Sequence, residues 1–381
     1  MTRFYLGLIS GTSADAIDAA LLDFAGEKPQ VRAARSTPYP AALRERVLGL
    51  SQQDAAVDLD AFGALDTAIG EAFATAALAL LADAGIRADE VIAIGSHGQT
   101  LRHRPRPPQC FTLQVGCPHV IAERTGCTVV ADFRRRDVAA GGEGAPLMPA
   151  FHAAVLADRG ETRAVLNLGG IGNLSLLAPD RPVRGFDTGP ANGLLDAWCH
   201  RHTGADYDRE GAWAAGGRVL PALLEACLTE PWLTLPPPKS SGRDRFHLGW
   251  LATRLDGSES ARDVQATLLE FSAQSIARAL RAEQPDTQRL IACGGGVHNR
   301  ALMHRLAALL PELRVESSAV HGLDPDAVEA AGFAWLARQT LAGQPGNCPE
   351  VTGAVGPRVL GAIIPGRRSA AQSLCEGGLA M

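Results

Sequence analysis

The residues near the start of the chain that could do chemistry form a polar turn between two apolar runs. This pattern over residues 4–24 predicts a strand, a turn and a second strand. Gly11 allows a positive φ and a close approach to a ligand, while hydroxyl and free backbone N–H groups can line an anion-binding concavity. The same residue types also dominate ordinary turns for conformational reasons. The candidate phosphate-binding residues are Ser10, Gly11, Thr12, Ser13, Asp15 and Asp18, with Asp18 as the candidate Mg²⁺ ligand.

A second segment repeats this pattern. Residues 163–177 again give an apolar run, a glycine turn with polar side chains and an apolar run. The interval of about 160 residues is too long for a solenoid and predicts duplication of a whole lobe. Two facing lobes that each carried such a turn would hold one phosphate chain between them. The candidate phosphate-binding residues of the second segment are Asn167, Gly169, Gly170, Gly172 and Asn173.

A carboxylate follows the second turn. Asp187 is predicted to lie at the end of a strand, just before a helix that has Thr188 as its N-cap. This placement would direct the carboxylate into a cleft and turn the helix N–H groups towards an anion. The alternative is a plain capping or turn residue. Asp-Thr-Gly also occurs in aspartic proteases, but no second copy is placed to complete a carboxylate pair.

Two segments in the first half of the chain carry further polar candidates. The motif Gly-Ser-His-Gly-Gln-Thr at 95–100 is predicted to follow a buried strand over 91–94, at the edge where α/β sheets collect ligands. His97 lies between glycines, so we expect it to face a cleft, although an isolated loop histidine is usually just solvated. Arg134 lies near a glycine-dense loop and could clamp anionic oxygens; a solvated run of charge over 134–136 is the alternative.

The last candidate groups lie in the second half of the chain. A predicted strand over 289–293 runs into three glycines, which indicates a strand-to-helix turn against which a nucleotide could lie. Glu329 is predicted in the first turn of a helix that reaches Leu341, a position where glutamate commonly just complements the helix dipole. The spacing of apolar residues predicts long helices over 58–84 and 261–282.

Size and composition limit the class of protein. A chain of 381 residues is too long for one compact core, which predicts two lobes. We place them at residues 1–132 and 133–365, with 132–147 as the passage between them and 366–381 as a flexible tail. A net charge of −5 and scattered arginines give no reason to expect a nucleic-acid partner.

Cysteine usage and hydropathy predict a location. The eight cysteines form no Cys-x-x-Cys pair, so we expect reduced thiols rather than disulfides or a zinc site. No uninterrupted apolar run is long enough for a membrane span, and the start of the chain does not resemble a signal peptide. We therefore expect a cytoplasmic protein with no membrane partner.

Six motifs, in order, give the chain a resemblance to a known family. They are Gly-Leu-Ile-Ser-Gly-Thr-Ser-x-Asp-x-x-Asp, Gly-Ser-His-Gly-Gln-Thr, Gly-Gly-x-Gly-Ala-Pro-Leu, Asn-Leu-Gly-Gly-Ile-Gly-Asn, Phe-Asp-Thr-Gly-Pro-Ala-Asn and Cys-Gly-Gly-Gly-Val-His-Asn. From Gly7 to Pro365 the chain resembles the anhydro-N-acetylmuramic acid kinase family, within the actin, sugar kinase and Hsp70-like superfamily. The resemblance implies an α/β fold of two duplicated ribonuclease-H-like lobes with a nucleotide cleft between them, the actin-like ATPase fold.

The resemblance also implies an activity. It implies ATP and Mg²⁺, and a reaction in which water opens the 1,6-anhydro ring of anhydro-N-acetylmuramic acid while O6 takes the γ-phosphoryl group. The products would be ADP and N-acetylmuramic acid 6-phosphate, in peptidoglycan recycling, and the enzyme would be a homodimer. Two alternatives stay open, which are an ordinary sugar hydroxyl kinase and a catalytically silent sugar or nucleotide sensor on the same fold.

Residue roles are implied at the matching positions. Asp187 matches the base that activates water, and Glu329 is implied to lie near the sugar and to help the leaving oxygen. ATP and its metal are implied to bind the residues of both turns together with Gly294, Gly295, Gly296 and Asn299. The sugar is implied to lie near His97, Gln99, Arg134, Thr188, Gly189, Pro190 and Asn192.

The chain departs from the family pattern at two positions. Ala16 stands where many members have glycine, and at a positive φ it would cost about 1 kcal/mol. Glu143 stands where glutamine is usual, which adds a negative charge near the expected sugar carboxylate.

Overall fold

The computed structural model describes residues 4–26, 28–52, 57–239, 241 and 245–367. The strands are β1 (Phe4–Ser10), β2 (Ala16–Asp23), β3 (Gln30–Pro38), β4 (Val91–Arg104), β5 (Phe111–Val115), β6 (Thr128–Ala131), β7 (Arg163–Leu168), β8 (Ile171–Leu177), β9 (Arg184–Pro190), β10 (Arg289–Cys293), β11 (Arg314–Ser317) and β12 (Ala362–Ile364).

Helices alternate with these strands. The α-helices are α1 (Ala41–Gln52), α2 (Leu59–Ala84), α3 (Pro118–Thr125), α4 (Arg135–Ala139), α5 (Met148–Leu156), α6 (Asn192–Thr203), α7 (Ala212–Ala215), α8 (Pro221–Leu228), α9 (Leu248–Ala252), α10 (Ala261–Glu283), α11 (Arg300–Leu309), α12 (Val328–Leu341) and α13 (Pro349–Thr352). Short 3₁₀ helices cover Ala88–Glu90, Arg209–Gly211, Pro231–Thr234, Gly295–His298 and Ser318–His321.

The chain forms two compact units, and the first is discontinuous in sequence. It comprises Met1–Phe151 and Gly322–Met381, and the second comprises His152–His321. This division differs from the predicted lobes at 1–132 and 133–365, because β12 pairs with β6 and α12 packs on β1 and β4. The predicted passage at 132–147 therefore lies inside the first unit. Residues 368–381 of the predicted flexible tail lie outside the described residues.

The two units repeat one strand plan. In the first, the order is β12-β6-β4-β1-β2-β3, with β5 beside β4; β1 is antiparallel to β2 and parallel to β4, which is parallel to β6. In the second, the order is β11-β10-β7-β8-β9; β7 is antiparallel to β8 and parallel to β10, which is parallel to β11. An antiparallel meander continued by parallel strands is the ribonuclease-H-like arrangement. The predicted fold class of duplicated α/β lobes is confirmed.

The sequence also predicted most of the individual elements that hold the site. Strand β10 and helices α2, α10 and α12 lie where the sequence placed them. Strand β4 is the exception, because it continues from Val91 to Arg104 where a short strand over 91–94 was expected. The motif at 95–100 therefore lies within a strand. It pairs with β1 on one side and continues into pairing with β5.

Helix α2 shows how capping and burial define a core helix. The Asp58 side chain accepts a hydrogen bond from the Asp60 N–H at its start, and Gly85 ends it in a left-handed conformation with φ 65°. By length and composition alone, α2 could cross a membrane. However, its residues Leu65, Ile69 and Phe73 are fully buried in the core of the first unit. Core helices of this kind commonly pass such a test.

Candidate functional site

The first glycine turn joins β1 to β2, as predicted. Ser10 is buried, Gly11 and Thr12 are exposed, and Ser13 is half-buried. The positive φ of this turn, 49°, belongs to Ala14, and Gly11 does not use the positive φ that glycine allows. An alanine in this region costs about 1 kcal/mol. The backbone strain considered for a positive φ at Ala16 does not arise, because Ala16 begins β2 and has no positive φ.

A buried side-chain amide supports the first turn. Gln99 is 0% exposed; its Nε2 donates to the Gly11 carbonyl at 3.1 Å, and its Oε1 accepts from the Tyr39 hydroxyl at 3.3 Å. Burial raises the pKa of Tyr39 to about 12, which keeps this hydroxyl a donor. Gln99 was predicted among the sugar-binding residues. Its burial instead gives it a supporting role behind the first glycine turn.

Carboxylates gather beside the first turn. Asp18 is half-buried; burial raises its pKa, a hydrogen bond from Ser36 opposes the rise, and the charge of Asp326 adds to it. Asp15 is different, since it is exposed and forms an ion pair with Arg44 at 2.7 Å. Among the described residues, no group of three or more His, Cys, Asp or Glu could hold a metal alone. Asp18 fits Mg²⁺ of the kind that keeps several waters and takes oxygens from phosphates.

Paired glycines bring Glu329 to this site. Gly7 of β1 lies beside Gly95 of β4, and α12 crosses both. A Cβ at Gly7 would overlap the Ala330 carbonyl, and one at Gly95 would overlap the Phe333 carbonyl. The missing side chains allow α12 to approach the sheet, and so place Glu329, in its first turn, within electrostatic reach of Asp18 and Arg134.

The environment of Glu329 combines exposure with crowding. Water reaches the residue, yet many protein atoms surround its carboxylate. This crowding raises the pKa of Glu329, the positive charge of Arg134 lowers it, and the negative charge of Asp18 raises it.

His97 and Arg134 form one unit of the site. His97 is only 6% exposed and packs on the Phe333 ring, so the expectation that it faces a cleft is wrong. Its Nδ1 lies 2.9 Å from the Gly98 carbonyl and must carry the hydrogen, and its Nε2 accepts from Arg134 Nε at 2.9 Å. Burial and the Arg134 charge hold the pKa of His97 well below its usual range. His97 is therefore a neutral acceptor that orients Arg134.

Arg134 is presented to bind an anion. Its Nη1 donates to the Gly144 carbonyl at 2.8 Å. Within the described part of the chain, its Nη2 has no hydrogen-bond partner. Burial lowers the pKa of Arg134 to about 10, and Glu329 opposes that change, so the guanidinium stays charged at neutral pH. A half-buried guanidinium with one free edge suits a carboxylate or phosphate oxygen.

The second glycine turn joins β7 to β8, as predicted, and is supported by backbone contacts. The N–H groups of Ala191 and Asn192 donate to the carbonyls of Gly170 and Gly169, each at 3.0 Å. Asn192 Nδ2 also donates to the Leu168 carbonyl at 3.1 Å, so this predicted sugar-binding residue braces the turn. In contrast to the first turn, no described residue from Asn167 to Asn173 has a positive φ.

The glycines after β10 pack against the second turn. Gly294 has a φ of 81°, and a Cβ there would overlap Asn167 Oδ1. A Cβ at Gly296 would overlap Asn192 Nδ2 and lie 2.9 Å from the Leu168 carbonyl. A strand-to-helix turn was predicted here and is confirmed: Asn299 caps α11 by accepting from the Leu302 N–H at 3.1 Å. Gly295 has open space around its Cβ position.

Asp187 lies in strand β9, directly opposite Asn173 of β8. Its Oδ2 accepts a hydrogen bond from the Ser241 N–H at 2.7 Å, and its own N–H donates to the Lys239 carbonyl at 3.0 Å. Burial raises the pKa of Asp187 to about 6, while the Ser241 N–H and the Lys239 charge oppose the rise. A carboxylate with a pKa this close to neutral is suited to general-base catalysis.

The residues after Asp187 are placed differently from the prediction. Thr188 is not a helix cap: it is buried within β9, and its hydroxyl donates to the Gly172 carbonyl at 3.0 Å. Helix α6 begins four residues after Thr188, at Asn192, with Ala191 at the N-cap position and no side-chain cap. Gly189 has a φ of 134°, and Pro190 pairs with Ile171.

Several supporting residues were missed in the sequence. Lys239 and Ser241 follow three consecutive prolines, and neither was among the candidate site residues. Lys239 Nζ lies 2.7 Å from the Leu233 carbonyl and 4.7 Å from the centre of the Trp232 ring. The polar run after the prolines was the available signal. Tyr39 gave no signal, since its role depends on a contact with Gln99 sixty residues away.

Each unit thus gathers a glycine turn and a carboxylate at one end of a ribonuclease-H-like sheet. This arrangement defines the class of actin-like phosphotransferases, which includes sugar kinases. The sequence model of the family described as anhydro-N-acetylmuramic acid kinase matches residues 3–366. The chain belongs to that family.

Relatives of the same description support this assignment over 95% of the chain. The anhydro-N-acetylmuramic acid kinase of Xanthomonas axonopodis pv. citri is 58% identical over 365 residues, which cover 95% of this chain and 98% of that protein. The protein of the same name from Xylella fastidiosa is 56% identical, with 95% and 96% covered. The one from Pseudomonas paraeruginosa is 50% identical, with 95% and 98% covered.

Proposed function

We propose that the protein is an anhydro-N-acetylmuramic acid kinase. It hydrolyses the 1,6-anhydro bond and phosphorylates O6, so that N-acetylmuramic acid 6-phosphate and ADP are formed for peptidoglycan recycling. Family membership and the names of the relatives support the substrate. The observation that carries the chemistry is Asp187, a half-buried carboxylate with a pKa of about 6 that is held by the Ser241 N–H.

The reaction assigns one proton and two bond exchanges. Asp187 takes a proton from water as the water oxygen bonds to the anomeric carbon. The bond between that carbon and O6 breaks. O6 then bonds to the γ-phosphorus, while the bond between the γ-phosphorus and the ADP oxygen breaks. Because the hydrogen bond from Ser241 occupies Oδ2, we assign the proton transfer to Oδ1.

ATP is assigned to the two glycine turns and to the glycines after β10. Exposed Gly11 and Thr12 offer backbone N–H groups in the first unit, and Gly295 offers an open backbone in the second. Mg²⁺ would be held at Asp18, whose pKa is raised by burial and by neighbouring negative charge, so a cation relieves an existing cost. When bound, Mg²⁺ neutralises charge on the phosphates.

The sugar is assigned to the free edge of Arg134, which would hold its lactyl carboxylate. His97 orients that guanidinium without touching the sugar. Glu329 is assigned to the leaving O6, since its raised pKa favours a proton that could be shared with that oxygen. A cytoplasmic homodimer is part of the proposal as well, and sedimentation of the purified protein tests the dimer.

One assay tests the function against its alternatives. The protein is incubated with Mg-ATP and either anhydro-N-acetylmuramic acid or the open-ring N-acetylmuramic acid, and ADP and sugar phosphate are measured. We expect ADP and a 6-phosphate from the anhydro sugar. Turnover of the open sugar alone would indicate an ordinary sugar kinase. Turnover of neither, with retained binding, would indicate a sensor.

A further inference from the structure

A negatively charged residue, Glu143, lies in the loop whose Gly144 carbonyl binds Arg134. The Glu143 N–H donates to the Thr352 carbonyl at 2.7 Å, and the next residue, Gly144, donates its N–H to Asp137 Oδ2 at 2.7 Å. Asp137 is 0% exposed, and its Oδ1 accepts from Thr352 Oγ1 at 2.8 Å. These hydrogen bonds hold the backbone of Glu143 and Gly144 in one position.

The same loop also holds Arg134. The Gly144 carbonyl accepts from Arg134 Nη1 at 2.8 Å, so Glu143 is one residue from a direct partner of the guanidinium. His103 lies in the field of both charges: burial lowers the pKa of His103, Arg134 lowers it further and Glu143 raises it. An uncompensated Glu143 would therefore oppose an anionic ligand at Arg134.

A second arginine compensates Glu143. Arg106, in the connection between β4 and β5, donates from Nε at 2.8 Å and from Nη2 at 2.5 Å to Glu143 Oε1. The Arg106 side chain is 71% exposed and the Glu143 side chain 35% exposed. The ion pair is therefore open to salt, and it adds little to folding stability. What distinguishes this ion pair from other exposed pairs is its place in the loop that binds Arg134.

We propose that Arg106 is a specificity-determining residue for an anionic substrate: it neutralises Glu143, so that a ligand carboxylate approaches Arg134 without repulsion. This inference rests on the proposed function, because it requires that the sugar carry its carboxylate to Arg134. Arg106 acts through Glu143 and is not a catalytic residue. Its removal should raise KM for the charged sugar and leave kcat unchanged.

The test is a double-mutant cycle with two sugars. KM and kcat are measured for the wild type, Arg106→Ala, Glu143→Gln and the double variant, with anhydro-N-acetylmuramic acid and with the uncharged 1,6-anhydro-N-acetylglucosamine. For the charged sugar we expect Arg106→Ala to raise KM about threefold to fivefold, on the scale of one exposed ion pair. The double variant should return to the wild-type KM, because no charge then needs compensation. High salt should remove the difference.

The control and the contradicting outcomes separate this inference from the function. Arg124→Ala breaks an exposed ion pair with Glu71 elsewhere in the first unit and should leave KM unchanged. If Arg106→Ala leaves KM unchanged, or raises it equally for the uncharged sugar or in the double variant, the inference is wrong although the function stands. If the wild type turns over neither sugar, the proposed function fails and this inference fails with it.

Discussion

The two glycine turns occupy equivalent positions in the two sheets but are supported by different means. The first is held from behind by the side chains of Gln99 and Tyr39, and carries its positive φ at Ala14. The second is packed directly against the backbone after β10, with room there only for glycine at positions 294 and 296. Duplication has thus preserved the strand plan while the supports diverged. The second turn is therefore supported by close backbone packing, whereas the first is supported by hydrogen bonds from side chains.

The two units also differ in the role assigned to their carboxylates. The largest loss of activity is expected from substituting the carboxylate of the second unit. Asp187→Asn should lower kcat by about 10²-fold or more, because it removes a general base while keeping an oxygen to accept from Ser241. Glu329→Gln in the first unit should cost less, since that group is exposed and only assists. Single-turnover kinetics and nucleotide binding measure both. Asp180→Asn, a change at an exposed aspartate of the second unit, is the matched control.

An equal or larger loss of kcat for Glu329→Gln would contradict the assignment of the base to the second unit.

The folding stability of the Asp187 variant provides a further check. The folded-state pKa of Asp187 is raised, so its contribution to stability is fully present below the unfolded pKa near 3.8 and is lost as pH rises through about 6. At pH 7 the charged group is a burden on the fold. Asp187→Asn should therefore not lower the melting temperature at pH 7.

The pH dependence of activity should follow the second unit. Asp187 must be unprotonated to accept a proton from water, so kcat should fall about tenfold per pH unit below pH 6. Glu329→Gln should leave this acid limb in place. A limb that disappears in Glu329→Gln would transfer the titrating base to the first unit. The measurement is a pH profile of kcat for the wild type and that variant.

Alanine in place of glycine tests the supports of the two turns. Gly296→Ala should destabilise the protein by about 1–3 kcal/mol, because the new methyl group overlaps Asn192 and Leu168. Gly11→Ala should leave stability nearly unchanged, since its nearest neighbour would be Ser13 Oγ at 3.9 Å. It should weaken ATP binding if the nucleotide approaches that backbone closely. Denaturant unfolding and nucleotide titration separate these effects, and an equal loss of stability for both variants would remove the distinction.

The smallest effect is expected behind the first turn. Tyr39→Phe removes one donor to Gln99 and should cost about 1 kcal/mol of stability. Gln99→Leu removes the side-chain donor to the Gly11 carbonyl, which keeps the Ala14 N–H as a donor, and takes the acceptor from the Tyr39 hydroxyl, so it should cost slightly more. Gln99→Leu should also raise KM for ATP. If KM for ATP is unchanged while stability falls, Gln99 supports the fold and not the turn.

Local patterns in the sequence predicted the elements that depend on local physics. Strand β10, the long helices and both glycine turns follow from hydrophobic spacing and turn residues within a few positions. The errors at His97, Gln99 and Thr188 share a different cause. The burial of His97, Gln99 and Thr188 depends on contacts with α12, Tyr39 and Gly172, which are not local in the sequence. His97, which lies between two glycines, was therefore expected to face a cleft, and Thr188 was expected to cap a helix.

The paired glycines at positions 7 and 95 have a consequence for the order of synthesis. They form the surface of the sheet against which α12 packs, and α12 is translated only after the whole second unit. As the chain leaves the ribosome, β1 and β4 are therefore made before the helix that covers one of their faces, and the second unit is fully translated before the first can be completed. In a nascent chain that ends at residue 321, that face of β1 and β4 lacks α12 and is open to chaperones and proteases.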